Sequence, residues 1–187
     1  EIGIRERLDA HMLIEEFMVL ANVCAAETLE DRRQPCMYRV HESPDPEKVA
    51  ALAEVLDGLG IAFAKGQVVR PKTFNGVLSK VKGEPHERMV NELVLRSQSQ
   101  AVYAPENAGH FGLALTKYAH FTSPIRRYSD LLVHRALILG LKLGDDGLRA
   151  EDDGAFQEWG EHISMTERRA AVAERTTMDR YLARHLA

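Results

Sequence analysis

A run of large aliphatic residues near the middle of the chain limits the folds open to it. Leu131, Leu132, Val133, Ala136, Leu137, Ile138, Leu139 and Leu141 cover nearly every direction of a helix expected over residues 124–143. A helix that is apolar all round is a buried one, so other elements must surround it. Just before the run stand Ser123 and Pro124, a serine suited to accept a first-turn N–H and a proline suited to the first helical position. The expected helix therefore begins inside the molecule. Arg126 and Arg127 fall in its expected first turn.

Arginine is unfavourable at that end of a helix, where the dipole and the free N–H groups attract anions. Two readings account for the pair. An anion held between the helix end and the guanidinium forks would stabilise both, and phosphate has the matching geometry. Alternatively, Asp130, four residues after Arg126, neutralises it within the helix. Upstream, Phe111, Leu113 and Leu115 alternate with smaller residues, the period of a short strand. That strand is expected to pair with residues 100–103 across the turn-forming stretch 104–109.

The rest of the chain reads as helical. The first helix is expected over residues 5–30, with Leu8, His11, Met12, Ile14, Phe17, Met18, Ala21, Cys24 and Ala25 as its buried stripe. Glu15 and Asn22 are seven residues apart and share a face. They form either a partly buried polar pair or part of a solvated surface. Residues 34–40 are extended. Asp45 and Pro46 open a helix that Gly60 ends, and residues 61–70 form a connection. Further helices cover 71–82 and 85–99, the second with Met89, Val90, Leu93 and Val94 on its apolar side. A long amphipathic helix covers 155–186, with Trp159, Ile163, Ala170, Val172 and Met178 toward the domain. The fold class is mainly α with a few short strands.

Composition narrows the function classes. The 187 residues carry a net charge of −4, so no global basic field points to nucleic acid, and any such contact must be local. Cys24 and Cys36 match neither a disulfide framework nor a metal spacing, which favours a reduced, cytoplasmic protein. No apolar run is long enough to span a bilayer. Asp145, Asp146, Glu151, Asp152 and Asp153 crowd one loop, but their spacing fits no calcium site. His110 and Tyr118 flank the expected strand and suit base stacking as well as purely structural roles. Arg39 and His41 either face a nucleic-acid path or simply edge a strand, and Arg96 is either a core salt-bridge partner or a phosphate contact.

The stretch His110-Phe-Gly-Leu, then Tyr118-Ala-His-Phe-Thr-Ser-Pro-Ile-Arg-Arg-Tyr-Ser-Asp130, resembles the signature of the ribonuclease II/ribonuclease R family. These are 3′-to-5′ exoribonucleases with an RNB catalytic domain. The likeness is strongest to the bacterial ribonuclease R branch. It extends through Leu13-Ile-Glu-Glu16, Tyr38-Arg-Val-His41, Leu95-Arg-Ser97 and Ala101-Val-Tyr103, and so covers nearly the whole chain, residues 1–187.

The resemblance implies the C-terminal helical half of an RNB catalytic domain. It implies magnesium-dependent, processive hydrolysis of single-stranded RNA to nucleoside 5′-monophosphates. Arg126 would be the catalytic arginine on the scissile phosphate. Glu15, Asn22, His110, Tyr118, Ser123 and Arg127 would line the RNA path, with Glu15 near the 3′ end. Arg168 and Arg169 match a Glu-Arg-Arg run of the family. The family's metal-binding aspartates lie upstream of the segment matched by Leu13 to Glu16, and nothing here matches them. Its flanking OB-fold domains are absent as well, and both ends of the chain look cut. The expected metal ligands in this chain are therefore none, and its expected partners are RNA and the remainder of its own protein. The competing expectations are a catalytically inactive RNA-binding chain and a helical interaction module.

Overall fold

A computed structural model describes residues 6–63 and 69–186. Among these residues there are six α-helices: α1 (Asp9–Asp31), α2 (Pro46–Gly58), α3 (Pro71–Val81), α4 (Glu87–Ser97), α5 (Tyr128–Leu141) and α6 (Phe156–Leu186). Two short strands, β1 (Tyr38–Val40) and β2 (Val102–Ala104), form a two-stranded sheet. The fold is mainly helical, as expected. The expected helix start at Arg5 and part of the 61–70 connection, residues 64–68, lie outside the described residues.

The chain divides into two units. Unit 1 is built from Glu1–Arg39, Val102–Asn107 and Lys117–Ala187, and unit 2 from Val40–Ala101 and Ala108–Thr116. Unit 2 is a small helical core. Leu52 and Leu56 of α2, Phe74, Val77 and Val81 of α3, and Val90 and Val94 of α4 are buried together. The punctuation of its sequence predicts its elements well. The Asp45 carboxylate accepts the Glu47 N–H at 2.9 Å to cap α2. Gly60 and Gly83 follow α2 and α3 in the left-handed conformation (φ 72° and 83°).

In unit 1, α1 and α5 pack on each other and β2 packs on α6. The core holds Ala25, Ala26, Leu29, Met37, Tyr103, Ala119, Leu132, Val133, Ala136 and Phe156. The approach of α6 to β2 requires Gly160: a Cβ there would lie 2.6 Å from the Tyr103 carbonyl oxygen. One turn later the Ser164 hydroxyl accepts the Tyr103 N–H at 2.9 Å and donates to the Gly160 carbonyl at 2.7 Å.

Several expectations are overturned. The alternation at Phe111, Leu113 and Leu115 is not a strand. Residues Phe111–Leu113 form a 3-10 turn, and Ala114 is left-handed at φ 54°. The His110 ring accepts the Leu113 N–H at 3.2 Å, a local side-chain bond that competes with strand pairing. The partner of β2 is β1.

Neither Ser123 nor Pro124 starts a helix. They begin a single turn, and α5 starts at Tyr128. Nor is α5 buried all round, since Leu131, Leu139 and Leu141 are exposed. Of the expected stripe on α1 only Ala25 is buried; the helix buries Asn22, Ala25, Ala26 and Leu29, while Leu8, Met12, Ile14, Phe17 and Met18 are exposed. On α6 the buried residues are Phe156, Gly160 and Ser164, and Val172 and Met178 are exposed. Apolar periodicity marks a face able to pack. It does not say how much of that face finds a partner within these residues.

Candidate functional site

The segment between residues 117 and 130 is held by buried polar groups of unit 1. Its first anchor is the sheet, where the Arg39 N–H donates to the Tyr118 carbonyl at 2.9 Å. A second is Asn22, buried in α1. Its amide nitrogen donates to the Tyr118 phenol oxygen at 3.0 Å, and its amide oxygen accepts the Phe121 N–H at 2.9 Å. One side chain thus fixes two points of the segment. A third anchor is His134 of α5, whose Nε2 lies 2.8 Å from the Phe121 carbonyl and so carries its proton there. The His134 ring stacks on Phe121 with centroids 4.3 Å apart.

Next along the chain is a tight turn closed on one residue. The Ser123 carbonyl accepts the N–H groups of Arg126 (3.2 Å) and Arg127 (3.1 Å). The Ser123 N–H itself donates at 2.8 Å to Oδ1 of Asp130, which is 0% exposed. The same oxygen receives Nη2 of Arg127 at 2.8 Å, and Oδ2 receives the Ser129 hydroxyl at 3.1 Å. Asp130 lies in the first turn of α5, where a carboxylate also suits the helix dipole.

The two arginines therefore have different surroundings. The arginine paired with Asp130 is Arg127, not Arg126. Arg126 is exposed at the apex of the turn beside Ile125, which is 101% exposed. Among the described residues its guanidinium has no ion pair or hydrogen bond. Two buried polar atoms near it, Thr122 Oγ1 and Arg127 Nε, also lack partners among the described residues.

Behind the turn, the Tyr103 phenol lies 2.8 Å from His120 Nδ1. Burial pushes the Tyr103 phenol up, and the Ser129 hydroxyl and the Arg39 guanidinium oppose that shift. Arg39 stands 4.5 Å above the Tyr103 ring and pairs with Glu167 at 2.8 Å. That placement makes Arg39 a packing residue.

The other expected residues are placed as follows. Glu15 is exposed and pairs with Arg7, so of its two readings it takes the solvated face and not the polar pair with Asn22. Asn22 has both ends of its amide bonded within the protein. His110 belongs to unit 2, where its ring meets His41 edge-on at 5.1 Å. Gly112 is required there, because a Cβ would lie 2.8 Å from His41 Nδ1. Arg96 pairs with Glu92 on the surface of α4. Sequence reasoning missed the structural parts of Tyr103, His134 and Ser129. It also misread Asp130, which lies three residues after Arg127 and four after Arg126, spacings that both allow a pair.

The RNB domain family matches residues 1–142. The chain belongs to the RNB-domain family. It is 45% identical to ribonuclease R of Aquifex aeolicus over 97% of this chain and 26% of that protein. Against ribonuclease R of Escherichia coli the identity is 43% over 93% of this chain and 22% of that protein. The RNB chain thus spans about a quarter of the length of these curated relatives. Its structure superposes on Mycoplasma genitalium RNase R, solved with ribose-methylated single-stranded RNA, at a TM-score of 0.84 and 31% identity. That match covers 96% of this chain and 28% of the other.

In this part of an RNB domain, no three His, Cys, Asp or Glu side chains among the described residues gather as a metal site. In the acidic loop, the Asp152 carboxylate is taken by the Arg149 N–H at 2.8 Å and by Arg135 at 3.5 Å. The described residues therefore do not fit a magnesium ion. No described helix is long and apolar enough to cross a membrane.

Proposed function

We propose that this RNB chain is the part of a 3′-to-5′ exoribonuclease that presents an arginine to the scissile phosphate of single-stranded RNA. The observation that carries the reading is the state of Arg126. It is an exposed guanidinium with no ion pair or hydrogen bond among the described residues, on a turn whose backbone is held by a buried carboxylate. Arginine offers a phosphate two parallel donors. A donor already in place needs no reorganisation as charge builds on the phosphoryl oxygens, so its effect is greater in the transition state than in the ground state.

Asn22, Tyr118 and Ser123 serve this site by shaping the segment, and Glu15 offers an exposed carboxylate to a ribose hydroxyl near the 3′ end. The RNA complex of the Mycoplasma genitalium relative supports RNA as the ligand. Magnesium, which the reaction would use, takes its ligands from outside these 187 residues in this reading.

The test is single-turnover cleavage of one 3′-labelled single strand by the full-length protein with magnesium, alongside its affinity for that strand. Arg126→Ala should slow cleavage of bound RNA and leave affinity nearly intact. Lost affinity with a normal rate on bound RNA would make Arg126 a binding residue. A full-length protein that binds RNA but releases no monophosphates would be a binding protein only.

A further inference from the structure

Arg126 is one residue from a second arginine of different fate, and the cause is Asp130. Its Oδ1 takes the Ser123 N–H and Arg127 Nη2 at 2.8 Å each, and the Ser123 carbonyl takes the Arg126 and Arg127 N–H groups. A chain of polar contacts thus runs from a fully buried carboxylate, through the backbone of Ser123, to the backbone of Arg126. We infer that Asp130 is a positioning residue for Arg126, and that Arg127 acts as its internal counter-ion and not as a phosphate ligand. The inference rests on the reading of Arg126 as the phosphate contact.

The physical case has three parts. A carboxylate at 0% exposure is costly unless it is paired and hydrogen-bonded, and here both oxygens are used, by three donors. Such a group has one low-energy arrangement, so it fixes the geometry of whatever it holds. The turn it holds carries two exposed side chains, Ile125 and Arg126, and its own hydrogen bonds are at the long end of the range, 3.1 and 3.2 Å. The turn therefore depends on Asp130 for its register against α5. Finally, Arg127 commits Nη2 to Asp130, and swinging its guanidinium away to a phosphate would leave Asp130 uncompensated in the interior, which is strongly unfavourable.

A double-mutant cycle in the full-length protein tests this. Asp130→Asn, Arg126→Ala and the double variant are compared with the parent by single-turnover cleavage of bound RNA, by RNA affinity and by thermal melting. Asparagine keeps an acceptor for the Ser123 N–H but loses the charge that holds Arg127. Displacement of a catalytic group by about 1 Å costs up to roughly 10²-fold in rate. Asp130→Asn should therefore slow cleavage markedly, with RNA affinity within about twofold of the parent, and cost nothing further once Arg126 is absent. An equal loss of rate in both backgrounds, or none in either, overturns the inference and leaves the Arg126 reading standing. If Arg126→Ala cuts at the parent rate, that reading falls, and this inference with it. Should Asp130→Asn fail to fold, Ser129→Ala frees only Oδ2 and should show a smaller loss with the same dependence on Arg126.

Discussion

The Asn22 amide donates to the Tyr118 phenol oxygen across 96 positions of sequence, and its other end holds the Phe121 N–H. A residue of the first helix thereby sets the course of the segment that ends in the Arg126 turn. Replacing it with alanine leaves the half-buried Phe121 N–H without its acceptor and opens a small void. Each orphaned buried group costs about 1–3 kcal/mol. Asn22→Ala should lower the urea midpoint of the full-length protein and slow cleavage of bound RNA. Asn22→Asp keeps the acceptor for Phe121 and should fall between the two. An unchanged midpoint would show that the segment is held by other means.

For Arg126 the expected loss is in the chemical step. Removing one preorganised donor from a developing oxyanion costs ~10²–10³ in rate. Arg126→Ala should approach that loss, and Arg126→Lys should recover little of it, because an ammonium is a point charge without the planar fork. Rapid-quench measurement at saturating protein reads the rate apart from affinity.

The exposed carboxylate of Glu15 leads to a prediction about discrimination. A carboxylate can accept a bond from the 2′-hydroxyl that distinguishes RNA from DNA. Glu15→Ala should narrow the difference in rate between an all-RNA strand and a chimera with a 3′-terminal deoxynucleotide, with little change in overall affinity. If both strands keep their parental rates, Glu15 has no part in reading the end.

Unit 1 buries acids that prefer to stay neutral. Burial pushes the Cys36 thiol and the Tyr38 and Tyr103 phenols upward, and the nearby Glu30 carboxylate adds to the shift of the first two. The folded state therefore holds these protons to higher pH than the unfolded state does. Their stabilisation is fully present below the unfolded values, about 8.5 for a thiol and about 10 for a phenol, and is lost as pH rises toward the folded ones. Stability should decline on the alkaline side, with a slope of up to about 1.4 kcal/mol per pH unit for each proton. Cys36→Ala should flatten the early part of that decline. Urea midpoints between about pH 7 and about pH 10 give the slope, and identical slopes in the two proteins would refute the assignment.

The legible parts of this fold were those decided locally. Asp45, Pro46, Gly60 and Gly83 mark helix ends because capping and left-handed geometry depend on a few neighbouring residues. The illegible parts were decided at a distance. Ser123 and Pro124 satisfy every local rule for a helix start, yet the chain turns there because Asp130 captures the Ser123 N–H from inside α5. Phe111 to Leu115 satisfy the strand period, yet the His110 ring bonds to Leu113 first. The same contrast holds at the candidate site. Arg126 and Arg127 were recognisable as a pair, but their separate roles depend on which of them reaches a buried carboxylate, and spacing favours neither clearly.

One more consequence follows from the way α6 is seated. Its 31 residues form a rod about 46 Å long at 1.5 Å per residue, but its buried residues, Phe156, Gly160 and Ser164, all lie in the first third. Those turns can open only when unit 1 opens. From Arg168 onward every described residue is exposed, so the turns there are held by helix propensity and neighbouring side chains alone. A single element in shape is therefore two in exchange kinetics. Amides near Ser164 share the protection of the whole unit, and those toward Leu186 open at a small fraction of that free energy.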